Sequence, residues 1–129
     1  MAGIHASGED YLEAILMLSE KNHGEVRSID IARELEVTKP SVSNAMKILR
    51  NGGFIVVDND GFITLTDDGK AIAVKIYEKH RVLSAWLESL GVSPDTAVED
   101  ACKIEHVISD ESFKCLKEHL KQYHNIELS

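Results

Sequence analysis

The fold is decided by residues 37–65, VTKPSVSNAMKILRNGGFIVVDNDGFITL. Thr38 suits the N-cap of a helix, and Pro40 suits the first turn, where a missing N–H breaks no hydrogen bond. Apolar residues recur at helical spacing until Gly52, which predicts that the helix ends there. Two β-rich runs then flank an Asp-Gly turn within residues 58–61, which is a strong signal for a β-hairpin.

The sequence on either side extends this stretch into a winged helix. A helix is predicted over 28–35, and the short break before Thr38 is typical of a helix-turn-helix. Helical periodicity returns from Thr66, with further helices predicted over 66–90, 93–108 and 109–123. We therefore predict a mainly α fold with a small β-hairpin wing, in which a winged helix-turn-helix (1–65) precedes an all-helical lobe (66–129).

Composition limits the classes of function. The chain has 129 residues, a formal charge of −8 from 22 acidic and 14 basic side chains, and two cysteines. No stretch approaches the ~20 apolar residues of a membrane span. The first nine residues lack the features of a secretory signal, and the cysteines form no disulfide framework, so we expect a cytoplasmic protein. The acidic excess argues against simple electrostatic binding to nucleic acid.

One window departs from this acidic character. Residues 37–57 carry three basic side chains and no acid, and they cover the second helix of the helix-turn-helix and the first wing strand. Short polar side chains at the start of that helix can reach phosphates and base edges in a major groove. The alternative is an ordinary solvated helix face. The candidate DNA-contacting residues from this pattern are Arg27, Thr38, Lys39, Ser41, Ser43, Asn44 and Lys47.

A second group of side chains has the chemistry of metal ligands. Cys102, Glu105 and His106 stand at i, i+3 and i+4 of one predicted helix and therefore share a face. Carboxylate, imidazole and thiolate together suit a first-row divalent ion such as Fe, Mn, Co or Zn. The candidate ligands from three predicted helices are Asp10, Glu13, His80, Cys102, Glu105 and His106.

Each of these residues also has a simpler interpretation. Asp10 and Glu13 suit the positive end of a helix dipole, where Asp10 can act as a cap. Cys102 can be a small core residue, and His80 a packed or solvated histidine. Spacing alone does not decide between these interpretations and a metal site.

Several motifs match a known family in order and spacing. They are Glu9-Asp10-Tyr11-Leu12-Glu13, Asp30-Ile31-Ala32, Ser41-Val42-Ser43, Lys79-His80-Arg81 and the stretch 101–110, ACKIEHVISD. Over nearly its whole length, the chain resembles the metal-dependent transcriptional regulators of the diphtheria-toxin-repressor type, which include the manganese transport regulators.

This resemblance implies a homodimer that binds palindromic double-stranded operator DNA when Fe(II) or Mn(II) is present, with up to two ions per subunit. It implies a repressor of metal-ion homeostasis genes, with the helical lobe mediating dimerisation. The family's metal positions fall on all six candidate ligands. Its DNA contacts fall on Thr38, Pro40, Ser41, Ser43 and Asn44.

The chain departs from the family pattern in places. It ends at Ser129, which predicts a short form without the SH3-like third domain of the iron-type members. Ser84 and Val98 stand where those members place ancillary ligands, so their second site is not expected in that form. Asp10 is the choice of the manganese branch and Cys102 that of the iron branch, which leaves the physiological metal open.

The resemblance suggests a mechanism and competing classes of function. A cation would join the first helix to the helical lobe and set two DNA-reading heads about 34–36 Å apart. The main alternative is a winged-helix regulator without metal control, either constitutive or responsive to a small molecule. A zinc-stabilised interaction module is a further alternative. We expect that the protein is not an enzyme, because the sequence has no HExxH motif and no phosphate-binding glycine loop.

Overall fold

A computed structural model describes residues 6–123. These residues form six helices and one antiparallel hairpin, and they cluster into two compact units that divide between Val74 and Lys75. No helix among the described residues is long and apolar enough to cross a membrane. The predicted mainly α fold with a β-hairpin wing is confirmed. The elements are α1 (Ala6–Lys21), α2 (Ser28–Leu35), α3 (Lys39–Asn51), β1 (Ile55–Val57), β2 (Ile63–Leu65), α4 (Asp67–Ser89), α5 (Pro94–Ile104) and α6 (Asp110–Tyr123).

The helix-turn-helix forms where the sequence predicts it. Glu36 ends α2 in the left-handed conformation, with φ of 54°, and its N–H donates to the carbonyl of Ala32. The chain then enters α3 through Thr38, whose Oγ1 accepts from the N–H of Ser41 at 3.3 Å. Pro40 lies in the first turn, as expected from its missing donor. Two short local caps therefore set the break between the helices.

The wing is anchored at its turn and at its base. The carboxylate of Asp58 accepts from the backbone N–H groups of Asp60 and Phe62, both at 2.9 Å. Ile63 donates its N–H to the carbonyl of Val26 at 2.7 Å, which ties the second strand to the segment before α2. The β-rich runs in the sequence are residues 54–57 and 62–65, and each strand is one residue shorter than its run, because Phe54 and Phe62 lie outside the paired register.

The core of the first unit lies between α1, the helix-turn-helix and the wing. Its side chains come from helices at helical spacing and from the inward positions of both strands, and burying each stabilises the unit by roughly 1.5–3 kcal/mol. The most deeply buried are Leu12, Ile15, Val26, Ile31, Val42, Leu49, Ile55 and Ile63.

The end of the wing is joined tightly to the start of α4. The hydroxyl of Thr66 donates to the carbonyl of Gly53 at 2.7 Å, and its oxygen accepts from the N–H of Gly69 at 3.2 Å. A Cβ placed on Gly69 would overlap the carbonyl oxygen of Phe54. The glycine is therefore needed for close approach of two backbone segments.

The second unit contains the rest of α4, together with α5 and α6. Val82, Phe113 and Leu120 form its core cluster, with Trp86, Ile108 and Leu116 packed against it. The sequence predicted that α5 continues to Ile108, and this is wrong: α5 ends at Ile104.

The early end of α5 has a local cause. The N–H groups of Val107 and Ile108 both bond to the carbonyl of Ile104, at 3.0 and 2.9 Å, which tightens the chain into a turn. Ser109 then starts α6, with its Oγ accepting from the N–H of Ser112 at 3.1 Å. Glu105 and His106 consequently lie in a turn between two helices and not inside α5.

Two lysines of α4 pair with the first residue of α6. Lys75 Nζ lies 2.7 Å from Asp110 Oδ2, and Lys79 Nζ lies 3.2 Å from Asp110 Oδ1. The hydrogen bond from Lys75, and then that from Lys79, hold the pKa of Asp110 below its ordinary value of 3.8.

We expect Gly69→Ala to destabilise the chain by about 1–3 kcal/mol or more, because the added methyl group cannot be accommodated by a flexible side chain. Alanine's better helix propensity, worth about 0.8–1 kcal/mol, opposes this loss and does not cancel it. Denaturant unfolding of the metal-free protein measures the change. Lys70→Ala, at the exposed next position, is the control, and a G69A protein as stable as K70A would contradict the packing.

We expect Asp110→Asn to lower the melting temperature at neutral pH and not in strong acid. A carboxyl group whose pKa is depressed by folding stabilises the protein above its unfolded pKa, and loses this effect as pH falls through the folded value. The gap between wild type and D110N should therefore close well below pH 3.8. Glu111→Gln removes the same charge one residue later, and an identical pH profile for it would contradict the assignment.

Candidate metal centre and DNA-binding face

Three potential ligands from different parts of the second unit lie together. Cys102 Sγ on α5 is 3.7 Å from His80 Nδ1 on α4, and the same nitrogen is 3.2 Å from Glu105 Oε2 in the following turn. One ligand atom from each of the three residues lies within 4.8 Å of the others. Sulfur, imidazole nitrogen and carboxylate oxygen thus converge on one point.

The carboxylate of Glu105 is the unusual feature of this cluster. Glu105 is only 1% exposed, and neither oxygen has a hydrogen-bond partner among the described residues. His80 Nδ1 at 3.2 Å and His106 Nε2 at 3.6 Å form ion pairs with it only when the imidazole rings are protonated, and neither contact has the geometry of a hydrogen bond. Burying an ionised carboxylate without compensation is strongly unfavourable, so the position favours a bound cation.

The donor set fits a first-row divalent ion. One thiolate, one or two imidazoles and one carboxylate match the ligands of Fe, Mn, Co and Zn sites. Cys102 is exposed, so the alternative that it is a small core residue is wrong. His80 is partly buried beside Glu105, with 20% of its side chain exposed, so it is not a simple solvated histidine.

The predicted helical i, i+3, i+4 arrangement is wrong in detail. Cys102 lies on α5, but Glu105 is its C-cap and His106 follows in the turn. The backbone of Glu105 still has helical angles and donates to Ala101, so the three residues keep nearly the spacing of a helix. The turn, and not a helix face, presents two of the candidate ligands.

The other predicted ligands lie in the first unit. Asp10 and Glu13 both lie on α1, one turn apart, and Glu13 is buried while Asp10 is partly exposed. Their participation in metal binding stays a prediction.

Ser84 and Val98 line a cavity of about 360 Å³ beside His80 in the second unit. Neither side chain supplies an imidazole or a carboxylate, and the buried Ser84 hydroxyl has no hydrogen-bond partner among residues 6–123. That an ancillary site of the iron type does not form there with the same ligands stays a prediction.

The predicted DNA-contacting residues share one property. Val42, Met46 and Leu49 bury one side of α3, and the opposite side is solvated. The first turn of α3 has no acidic residue, which leaves its positive end open to an anion. The exposed residues are Arg27, Thr38, Lys39, Pro40, Ser41, Ser43, Asn44 and Lys47.

Sequence reasoning overlooked the supporting roles of Phe62 and Lys79. The guanidinium of Arg27 lies 4.4 Å from the centroid of the Phe62 ring, so the wing holds this arginine in place. Lys79 is buried and contacts the turn that carries Glu105 and His106. The available signal for Lys79 was its place in the Lys79-His80-Arg81 motif.

We expect Glu105→Gln to abolish metal-dependent stabilisation without lowering the stability of the metal-free protein, because it removes a buried charge that lacks a hydrogen bond. For the wild type, Mn(II) at a hundred times its Kd should add about 2.7 kcal/mol. Melting curves with chelator and with Mn(II) measure both effects. Glu99→Gln on the exposed face of α5 should retain the stabilisation, and an E105Q protein that also retains it would exclude Glu105 as a ligand.

Comparison with known proteins covers both units. Residues 4–61 match the family model of the iron dependent repressor N-terminal DNA binding domain, and residues 66–125 match that of the iron dependent repressor metal binding and dimerisation domain. Over 116 residues, the chain is 35% identical to an uncharacterized HTH-type transcriptional regulator, MJ0568, of Methanocaldococcus jannaschii, covering 89% of this chain and 93% of that protein.

Two further comparisons agree with these matches. The transcriptional regulator MntR of Escherichia coli O6:H1 is 34% identical over 109 residues, which are 84% of this chain and 70% of that protein. The structure of the manganese regulator SloR superposes with a TM-score of 0.80 at 31% identity, over 88% of this chain and only 53% of the longer SloR chain. The chain therefore belongs to the iron-dependent repressor family of metal-dependent transcriptional regulators, as its motifs indicated.

Proposed function

We propose that this chain is a metal-responsive transcriptional repressor that binds operator DNA when Fe(II) or Mn(II) is present and controls genes of metal-ion homeostasis. The observation that carries the proposal is the buried Glu105 carboxylate, which has no hydrogen bond among the described residues and lies beside His80 and Cys102. A family of regulators with a metal-binding and dimerisation domain supports the same function.

The proposed ligands differ in their donor atoms and in their place along the chain. His80, Cys102, Glu105 and His106 come from the second unit, and Asp10 and Glu13 from α1 complete the set for up to two ions per subunit. A bound ion supplies positive charge that offsets the carboxylates. Cys102 must release its proton before its sulfur can bind, so metal affinity rises with pH.

The chemistry of the donor set bears on the choice of metal. The Asp10 carboxylate favours a hard ion such as Mn(II), and the Cys102 thiolate favours softer ions such as Fe(II) or Zn(II). A site that contains both donors, the carboxylate and the thiolate, is therefore suited to Fe(II) or Mn(II). Competition from Zn(II) depends on which ions are available.

The DNA-binding part of the proposal rests on the exposed start of α3. The helix N-terminus and the hydroxyl and amide side chains of Ser41, Ser43 and Asn44 are suited to a major groove, with Arg27, Lys39 and Lys47 placed for phosphates. The N-terminal domain, residues 1–65, carries these contacts, and residues 66–129 carry metal binding and dimerisation. A homodimer of this kind reads a palindromic operator with half-sites about 34–36 Å apart.

The proposed regulatory role also implies where in the cell the protein acts and which class of protein it belongs to. A transcriptional repressor acts on chromosomal DNA, so we expect a cytoplasmic protein. The characterised relatives are transcriptional regulators, and we expect regulation and not catalysis from this chain.

The test is DNA binding with and without metal. Duplexes enriched from a random pool in the presence of Mn(II) serve as the probe, with affinity followed by fluorescence anisotropy. Removing Mn(II) with a chelator should weaken binding by about 5–150-fold, the usual range of allosteric coupling. Equal affinity in both conditions would instead identify a winged-helix regulator without metal control.

A matched variant separates DNA contact from metal control. Lys47→Ala should keep the full response to Mn(II), and should lower the slope of log affinity against log salt by about one if Lys47 contacts a phosphate. An unchanged slope would remove Lys47 from the interface without affecting the metal switch.

A further inference from the structure

Lys79 is the buried cation next to the metal ligands. Its side chain is 8% exposed, which is rare for a lysine without a specific partner. Its Nζ donates to the carbonyl of Ile108 at 3.3 Å and pairs with Asp110 at 3.2 Å, and it lies 6.0 Å from the centre of the Phe113 ring. These contacts lie at the end of the turn that carries Glu105 and at the start of α6.

The turn that follows α5 bonds back to that helix. The N–H of Glu105 donates to Ala101, and those of Val107 and Ile108 donate to Ile104. Ile108 also packs against the core cluster of the second unit. His80 follows Lys79 directly in α4. The contact of Lys79 with Ile108 therefore links the helix that carries His80 to the turn that carries Glu105 and His106.

Lys75 provides an internal comparison. It pairs with the same Asp110 at 2.7 Å, one turn earlier on α4, but its side chain is 57% exposed. Among the described contacts it makes none with the backbone of the turn. Lys75 thus shares the charge and the partner of Lys79 without the buried link.

We propose that Lys79 is a positioning residue for the metal site: it holds residues 105–109 and the start of α6 against α4, so that Glu105 lies beside His80 before a cation binds. The inference rests on the proposed function, since it assumes that these residues bind metal. Without Lys79, the turn must be ordered at the moment of binding, and affinity falls by the cost of that ordering.

Simple electrostatics predicts the opposite sign. A positive charge near a cation site repels the incoming ion, so removing it should strengthen metal binding. Positioning predicts that removal weakens binding. The direction of the effect therefore separates the two accounts.

The test is a Co(II) titration of the full chain and its variants under anaerobic conditions. Absorption bands of Co(II), including the charge-transfer band from a thiolate, report both affinity and coordination by Cys102. Lys79→Met should weaken Co(II) binding by about 10–100-fold, the usual effect of losing an outer contact to a metal site. Lys79→Arg should restore most of the affinity, and Lys75→Met should leave it unchanged. Melting curves in chelator show which variants are folded.

Each outcome has a defined meaning. If K79M binds Co(II) as tightly as the wild type, or more tightly, the proposal is wrong. If the wild type itself binds no Co(II), the proposed function fails instead, and the two failures are distinct.

If the K79M protein does not fold, a second comparison tests the proposal. In the K75M background, Asp110→Asn weakens only the ion pair between residue 110 and Lys79. Both proteins are titrated in high salt, which screens the remaining effect of the exposed Asp110 charge on the metal ion. Weaker Co(II) binding than in K75M alone supports the proposal, and equal binding overturns it.

Discussion

The buried carboxylate of Glu105 is the constraint on which the account of the second unit depends. Carboxylates are stable inside proteins only when hydrogen bonds or cations replace the water they lose. Here the neighbouring groups are imidazole nitrogens and a thiol, which are side chains of the kind that bind metals and which do not contact Glu105 in hydrogen-bonding geometry. The local arrangement is therefore unfavourable alone and favourable around a divalent cation, which is the property required of a metal-sensing site.

The net charge of the chain connects metal binding to DNA binding. The chain has a net charge of −8, while the basic window of α3 and the first wing strand contributes only three positive side chains. Such a protein attracts DNA weakly by electrostatics alone. Each bound divalent ion offsets two negative charges. This change in charge favours DNA binding in a metal-loaded state.

Local signals in the sequence predicted the first unit well. Thr38, Pro40 and the Asp-Gly turn act over a few residues, so α3 and the hairpin could be placed from sequence alone. The end of α5 could not, because Ile104 and Ile108 continue the apolar period while Ser109 starts a new helix. His80 and Cys102 are 22 residues apart, so their spacing could not show that the two side chains lie together. The chemistry of their donor atoms and the family resemblance made both of them candidates. Lys79 was overlooked because a lysine normally indicates an exposed position.

The most direct measurement is X-ray absorption at the Co(II) edge of the loaded chain, compared with Cys102→Ser. Convergence of His80, Cys102 and Glu105 on one ion predicts imidazole scattering and one sulfur at about 2.3 Å, the usual length of a bond from a first-row ion to thiolate. The sulfur signal should disappear in C102S. A coordination shell of oxygen alone, identical in both proteins, would show that the ion binds elsewhere and would contradict the account.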